Sequence, residues 1–167
     1  MSDQPLQAVA ITHMDSVFMR GVDVRPGKLQ EAFSLQIDEQ RSIEELAAMA
    51  AAFFADSGRT IIPLVDITGV GESLALALQV KGFDVRRFRP AAICEPPFEQ
   101  ERFLNLQAKG GHLYNQGVQA GCITYVDGSA PPYLPLGLNE QGQHRMTVNN
   151  GENRLSAMLG LYWHAQR

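Results

Sequence analysis

Cysteine is scarce in this sequence: Cys94 and Cys122 stand far apart, with no CxxC pair and no His cluster nearby. That excludes a zinc framework and leaves two ordinary thiols of a reducing compartment. Positive charge is also in deficit, with 14 Lys and Arg against 18 Asp and Glu and a net charge of -4. No global basic surface is available to draw nucleic-acid phosphates, so any such contact must be local. No apolar run approaches the ~20 residues needed to span a bilayer, and Met1-Ser2-Asp3-Gln4-Pro5 lacks the basic and apolar regions of a signal peptide. A cytoplasmic protein without membrane contact is expected. No G-x-x-x-x-G-K-(S/T) loop occurs, which excludes an ATPase motor on this chain.

What is present is apolar content of 45% over 167 residues, enough for one real core. With no internal repeat or linker, residues 1–167 are expected to form a single domain. Leu6 to Ile11 and Val17 to Val24 read as a hairpin, and Arg25-Pro26-Gly27-Lys28 turns the chain into a third strand ending at Ile37. Ser42-Ile43-Glu44-Glu45 is a capping box. It opens a helix whose Ile43, Leu46, Ala47, Ala50, Phe53 and Phe54 share one face, with Gly58 placed to end it. Thr60 to Ile67 is the run expected of an interior strand, although Pro63 cannot donate to a ladder. A helix over Glu72 to Lys81 and a strand over Phe83 to Phe88 complete a β-α-β unit with parallel strands. A helical stretch from about Phe98 to Gln119, a strand at Cys122 to Val126, a loop over residues 127–150 and a last helix over Asn153 to His164 follow.

Asp66 stands out, because it ends a buried strand just before a glycine-containing turn, and ligands of open α/β sheets gather at the carboxyl ends of strands. It serves equally well as a cap or brace of that turn. Gly69-Val70-Gly71 could turn amides toward a phosphate, which admits a small nucleotide-binding domain, although the segment is neither a Walker loop nor a full GxGxxG. Arg86, Arg87 and Arg89 form the basic cluster, beside the same edge, and could contact nucleic-acid phosphates. His13, His112, His144 and His164 lack ligand spacing.

The segment Val65-Asp66-Ile67-Thr68-Gly69-Val70-Gly71, with Leu74, Leu78 and Gly82-Phe83-Asp84-Val85 after it, resembles the D-x-T-G-x-G segment of the nuclease domain of phage large terminase subunits. Phe103-Leu104-Asn105, Gly121-Cys122-Ile123 and Asn153-Arg154-Leu155-Ser156-Ala157-Met158-Leu159 resemble later parts of that domain in the same order. The resemblance implies a ribonuclease-H-like α/β fold, in which an antiparallel meander is continued by parallel strands and helices cover both faces. It further implies a metal-dependent DNA endonuclease of phage DNA packaging, with DNA and other packaging proteins as partners, and host cytoplasm as the location.

In the family, acids on the first strand and at the head of the last helix join the middle Asp around two divalent ions, Mg²⁺ or Mn²⁺. Carried over, Asp66 is the central catalytic metal ligand. Asn153 stands where the late acid is expected, and Glu152 beside it is the nearest replacement, as catalytic group and ligand. No acid lies inside Leu6 to Ile11; Asp3 could precede the family's second strand, with the first strand then absent, and Asp15 or Asp23 could substitute. These gaps keep a second reading open, a catalytically silent ribonuclease-H-like module for binding or assembly.

Overall fold

The computed structural model describes residues 5–14, 16–37 and 41–167. Strands β1 (Leu6–His13), β2 (Val17–Arg25) and β3 (Lys28–Ile37) form the expected antiparallel meander. Helix α1 (Ile43–Asp56) starts at the capping box, where Ser42 Oγ accepts from the Glu45 amide at 3.2 Å. Strand β4 (Thr60–Asp66) lies parallel to β1, and after α2 (Gly71–Val80) the chain returns as β5 (Arg86–Phe88), parallel to β4. The β-α-β unit is therefore as read from sequence. With β6 (Ile123–Thr124) parallel to β3, the sheet order is β5-β4-β1-β2-β3-β6. β1 is thus a central strand of the described sheet.

Period-two alternation sorts the strand side chains between two helical layers. Val9, Ile11, Met19 and Val65 pack against Leu46, Ala50 and Phe54 of α1 and Leu74 and Leu78 of α2. Ala8, Ala10, Val22, Leu64 and Phe88 face the other way, onto α3 (Leu106–Gln119) and α4 (Gly151–Ala165). The fold is the mixed-sheet α/β architecture with helices on both faces.

Pro63 sits in the interior β4 without disrupting it. The Thr60 amide donates to Pro5 on the β1 side and the Ile67 amide to Phe88 on the β5 side, so the odd positions of β4 face β5. β5 begins only opposite Leu64. The missing N–H of Pro63 therefore costs no ladder bond.

Four expectations need correction. The strand expected over Phe83 to Phe88 forms only at Arg86–Phe88, because a tight turn from Val85 N to Phe83 O occupies its start. The helix expected from Phe98 begins at Leu106, where Asn105 caps it by accepting from the Ala108 amide at 2.9 Å; before it lies one 3-10 turn, Pro97–Glu101. The strand at Cys122 to Val126 is limited to Ile123–Thr124, since Tyr125 enters a turn closed by Gly128 N to Tyr125 O. Finally, the loop expected over residues 127–150 holds a hairpin, β7 (Leu136–Leu138) with β8 (His144–Met146). Its turn is fixed by Asn139 Oδ1, which accepts from the amides of Gln141 and Gln143. Three-residue strands are too short to show a period.

Helices α3 and α4 cross at backbone contact. A Cβ on Gly110 would lie 2.3 Å from the Ala157 carbonyl oxygen, and one on Gly160 would lie 2.2 Å from that of Gly110. The glycines that weaken α3 by propensity are what allow α4 to settle onto it. Residue by residue, that crossing decides where the head of α4 meets the sheet.

Candidate functional site

The parallel register of β1 and β4 pairs Ile11 with Val65, so Thr12 and Asp66 follow as neighbours at the carboxyl ends of the two central strands. Alternation turns both toward α4. Asp66 is 2% exposed and Thr12 is 0% exposed. The turn after β4 is closed by the aspartate: Asp66 Oδ1 accepts from the Thr68 amide at 2.9 Å. The backbone passes so tightly that a Cβ on Gly71 would lie 1.8 Å from the Asp66 carbonyl oxygen, so no side chain is tolerated at that position.

The other carboxylate oxygen, Oδ2, accepts from Arg154 Nη1 at 3.0 Å. Arg154 reaches it from the first turns of α4, where Asn150 caps the helix by accepting from the Asn153 amide at 2.8 Å. The guanidinium is held a second time, by Nε donating to Asn149 Oδ1 at 2.9 Å, and the same oxygen accepts from Gln107 Nε2 at 2.9 Å. Asp66, Arg154, Asn149 and Gln107 thus form one chain of hydrogen bonds from β4 through α4 to α3. Thr12 Oγ1 lies beside this chain without a hydrogen-bond partner among the described residues. It sits under the head of α4, since a Cβ on Gly151 would come within 3.2 Å of it and 2.6 Å of the Phe18 ring.

Of the residues expected from sequence at this point, the structure brings Asp66 to the centre and leaves the others outside. Glu152 is exposed and lines a cleft with Arg20, Glu31 and Tyr114. Asn153 lines the same cleft and spends its side-chain amide on the Val148 carbonyl at 2.9 Å. Asp23 lies opposite Gln7, at the far end of β1, where it accepts from Gln7 and pairs with Arg59 at 3.1 Å. Asp3 and Asp15 lie outside the described residues.

Arg86 and Arg87 alternate across β5 to opposite faces. Arg86 pairs with Asp84 at 2.9 Å, while Arg87 reaches Glu72 at 3.1 Å and Gln79 at 2.9 Å on α2. Arg89 is exposed and lines a cleft with Ile67, Thr68 and Pro90, next to the Asp66 turn. In the Gly69-Val70-Gly71 segment the Gly71 amide is spent inside the turn, on Thr68 O, and just beyond it Ser73 N bonds to Val70 O.

The residues that sequence reasoning passed over are Thr12, Gln107, Asn149 and Arg154. Two of them carried a readable signal. Thr12 continues the inward alternation of Ala8 and Ala10, and Arg154 stands four residues before Met158, on the buried stripe of α4, where a charged residue requires a partner.

These residues do not fit a pair of divalent ions. Two such ions need several carboxylates for charge compensation, and among the described residues no group of three His, Cys, Asp or Glu is placed to hold a metal. Both oxygens of Asp66 already accept hydrogen bonds, one of them from a cation. A divalent ion about 4 Å from that guanidinium would be repelled by about 8 kcal/mol at an effective dielectric constant of about 20.

No family model matches the sequence, and neither does any curated protein. Solved structures do match. The nuclease domain of the large terminase subunit gp2 of bacterial virus Sf6 is similar at a TM-score of 0.62 and 14% identity, over 96% of this chain and 88% of that one. The large terminase nuclease of thermophilic phage G20c, determined with bound magnesium, is similar at a TM-score of 0.62 and 13% identity, over 98% of this chain and 82% of that one. The large terminase of another thermophilic bacteriophage is similar at a TM-score of 0.62 and 13% identity, over 99% of this chain and 41% of that one. This chain therefore has the fold of phage large-terminase nuclease domains, the ribonuclease-H-like fold its sequence resembles.

Proposed function

We propose that residues 1–167 act as the nuclease-fold domain of a phage DNA-packaging terminase, with DNA as ligand, other packaging proteins as partners and the host cytoplasm as the place of action. The likeness to large-terminase nucleases over 95% or more of the chain carries this reading. None of the helices among the described residues is long and apolar enough to cross a membrane, which is compatible with it. Arg89, with Arg86 and Arg87 behind it, supplies the local positive charge that an acidic protein needs to meet phosphates.

In a cutting form of this domain the cofactor would be Mg²⁺ or Mn²⁺, activating water for phosphodiester hydrolysis. Asp66 would be the central ligand, and Glu152 or Asn153 would have to move toward it from the neighbouring cleft. A specific observation favours the non-cutting form: the Asp66 carboxylate is bonded to Arg154 at 3.0 Å inside the protein. In that form the domain holds DNA or organises an assembly.

Incubating plasmid DNA with the protein and Mn²⁺, alongside Asp66→Asn, separates the two forms. The expected result is retardation of DNA on a gel with no nicking above the Asp66→Asn level. Nicking that Asp66→Asn abolishes would establish the cutting form, and absence of any DNA retardation at low salt would overturn the DNA reading.

A further inference from the structure

We infer that Arg154 is the resident cation of this site, a covalently attached guanidinium that takes over the charge balance for which a carboxylate cluster would require metal. The inference deepens the non-cutting reading at the same site but is independent of what the domain binds.

A carboxylate that is 2% exposed is costly to bury unless it has hydrogen bonds and a compensating charge. Arg154 supplies one, through a side chain only 10% exposed. Its position is fixed by two partners, one of them held in turn by a third residue. Nη1 holds Asp66 and Nε holds Asn149, whose oxygen is in turn oriented by Gln107. Arginine suits this task, since it does not lose its proton and its planar fork can serve two acceptors at once.

The residues around the pair are matched to a single positive charge. Thr12, Asn149 and Gln107 are uncharged, so one carboxylate and one guanidinium sum to zero. Thr12 completes the case, for its hydroxyl is buried at the strand end adjacent to Asp66 yet has no hydrogen-bond partner among the described residues. A carboxylate at that position would leave the site one negative charge in excess, and a cation would then be needed again.

The test is thermal unfolding of the full chain in EDTA and in Mn²⁺, which reads metal and stability without DNA. The wild-type midpoint should be the same in both, and Arg154→Met should lower it by several degrees in EDTA. Asp66→Asn combined with Arg154→Met should lose less than the two single variants together, as expected of groups that compensate each other. The variant Thr12→Asp with Arg154→Glu, which gathers three carboxylates, should be destabilised in EDTA and recover in Mn²⁺, and Asp66→Asn on that background should remove the recovery. If this variant does not fold, the single variants and the wild type decide. A wild-type midpoint that Mn²⁺ raises, with the rise lost in Asp66→Asn, would overturn the inference, as would an Arg154→Met midpoint equal to wild type. A Mn²⁺ effect that persists in Asp66→Asn arises elsewhere on the protein and leaves Arg154 as the cation here.

Discussion

Thr12 carries a hydroxyl that the fold buries completely and leaves without a partner among the described residues. Such a group forfeits its hydration with no return, at a cost of about 1–3 kcal/mol. Thr12→Val keeps the shape and removes the unpaired oxygen. It should therefore leave stability unchanged or raise it by about 1 kcal/mol, with an unaltered dependence on denaturant in urea unfolding. A clear loss of stability would mean that the hydroxyl is bonded in solution. The adjacent residue on β4 behaves oppositely, because Asp66 has both oxygens engaged. Removing its charge strands a buried guanidinium, and Asp66→Ala should cost about 3–5 kcal/mol, the usual penalty for breaking a buried pair from one side.

Among the elements, the α3–α4 crossing and the β7–β8 hairpin each carry a measurable consequence. Gly160→Ala would add a methyl 2.2 Å from the Gly110 carbonyl oxygen and 2.6 Å from the Tyr114 amide nitrogen. The overpacking penalty of about 1–3 kcal/mol should outweigh the gain of about 1 kcal/mol in helix propensity, and urea unfolding would show a net loss. The hairpin docks on α3 through aromatic contacts, with the rings of His112 and His144 centred 5.3 Å apart and Phe103 5.3 Å from His112. Burial, then the charges of His144 and Arg102, hold the His112 pKa below its ordinary value, while Glu99 opposes them. The unfolded chain therefore takes up the proton first as pH falls. Stability from this contact is complete above the unfolded value of about 6.5 and is lost on going down through the lower folded value. His112→Gln should flatten that part of the stability-against-pH curve.

The elements were legible in the sequence to very different degrees. The meander, the capping box and the β-α-β unit have strong local signals, in alternation, caps and glycine stops. The hairpin inside residues 127–150 does not, since three-residue strands held by Asn139 leave no period to read. Asp66 could be found because strand and turn converge on it. That Arg154 needs a partner could be read from its place on the buried stripe, but that the partner is Asp66 could not, because a salt bridge between residues 88 positions apart is decided by how α4 lands on α3.

Taken whole, the molecule is acidic, so the DNA contact proposed above would come from a small region. Arg86 and Arg87 are paired with carboxylates, whereas Arg89 is exposed and has no ion-pair partner among the described residues. Arg89→Gln should therefore weaken DNA binding more than Arg86→Gln or Arg87→Gln, and reduce the slope of log affinity against log salt by about 1. Equal effects from all three would show that the ion pairs open on binding. The same long helix that carries Arg154 near its head carries the chain's one tryptophan near its tail. Trp163 is 3% exposed, and its indole N–H donates to the Gly27 carbonyl in the turn between β2 and β3 at 3.0 Å. Because that ring bridges the last helix to the far end of the sheet, its emission should move to longer wavelength only when helix and sheet separate. The protein thus contains its own optical gauge of global unfolding, set well away from the Asp66 end, so substitutions there can be followed without adding a label.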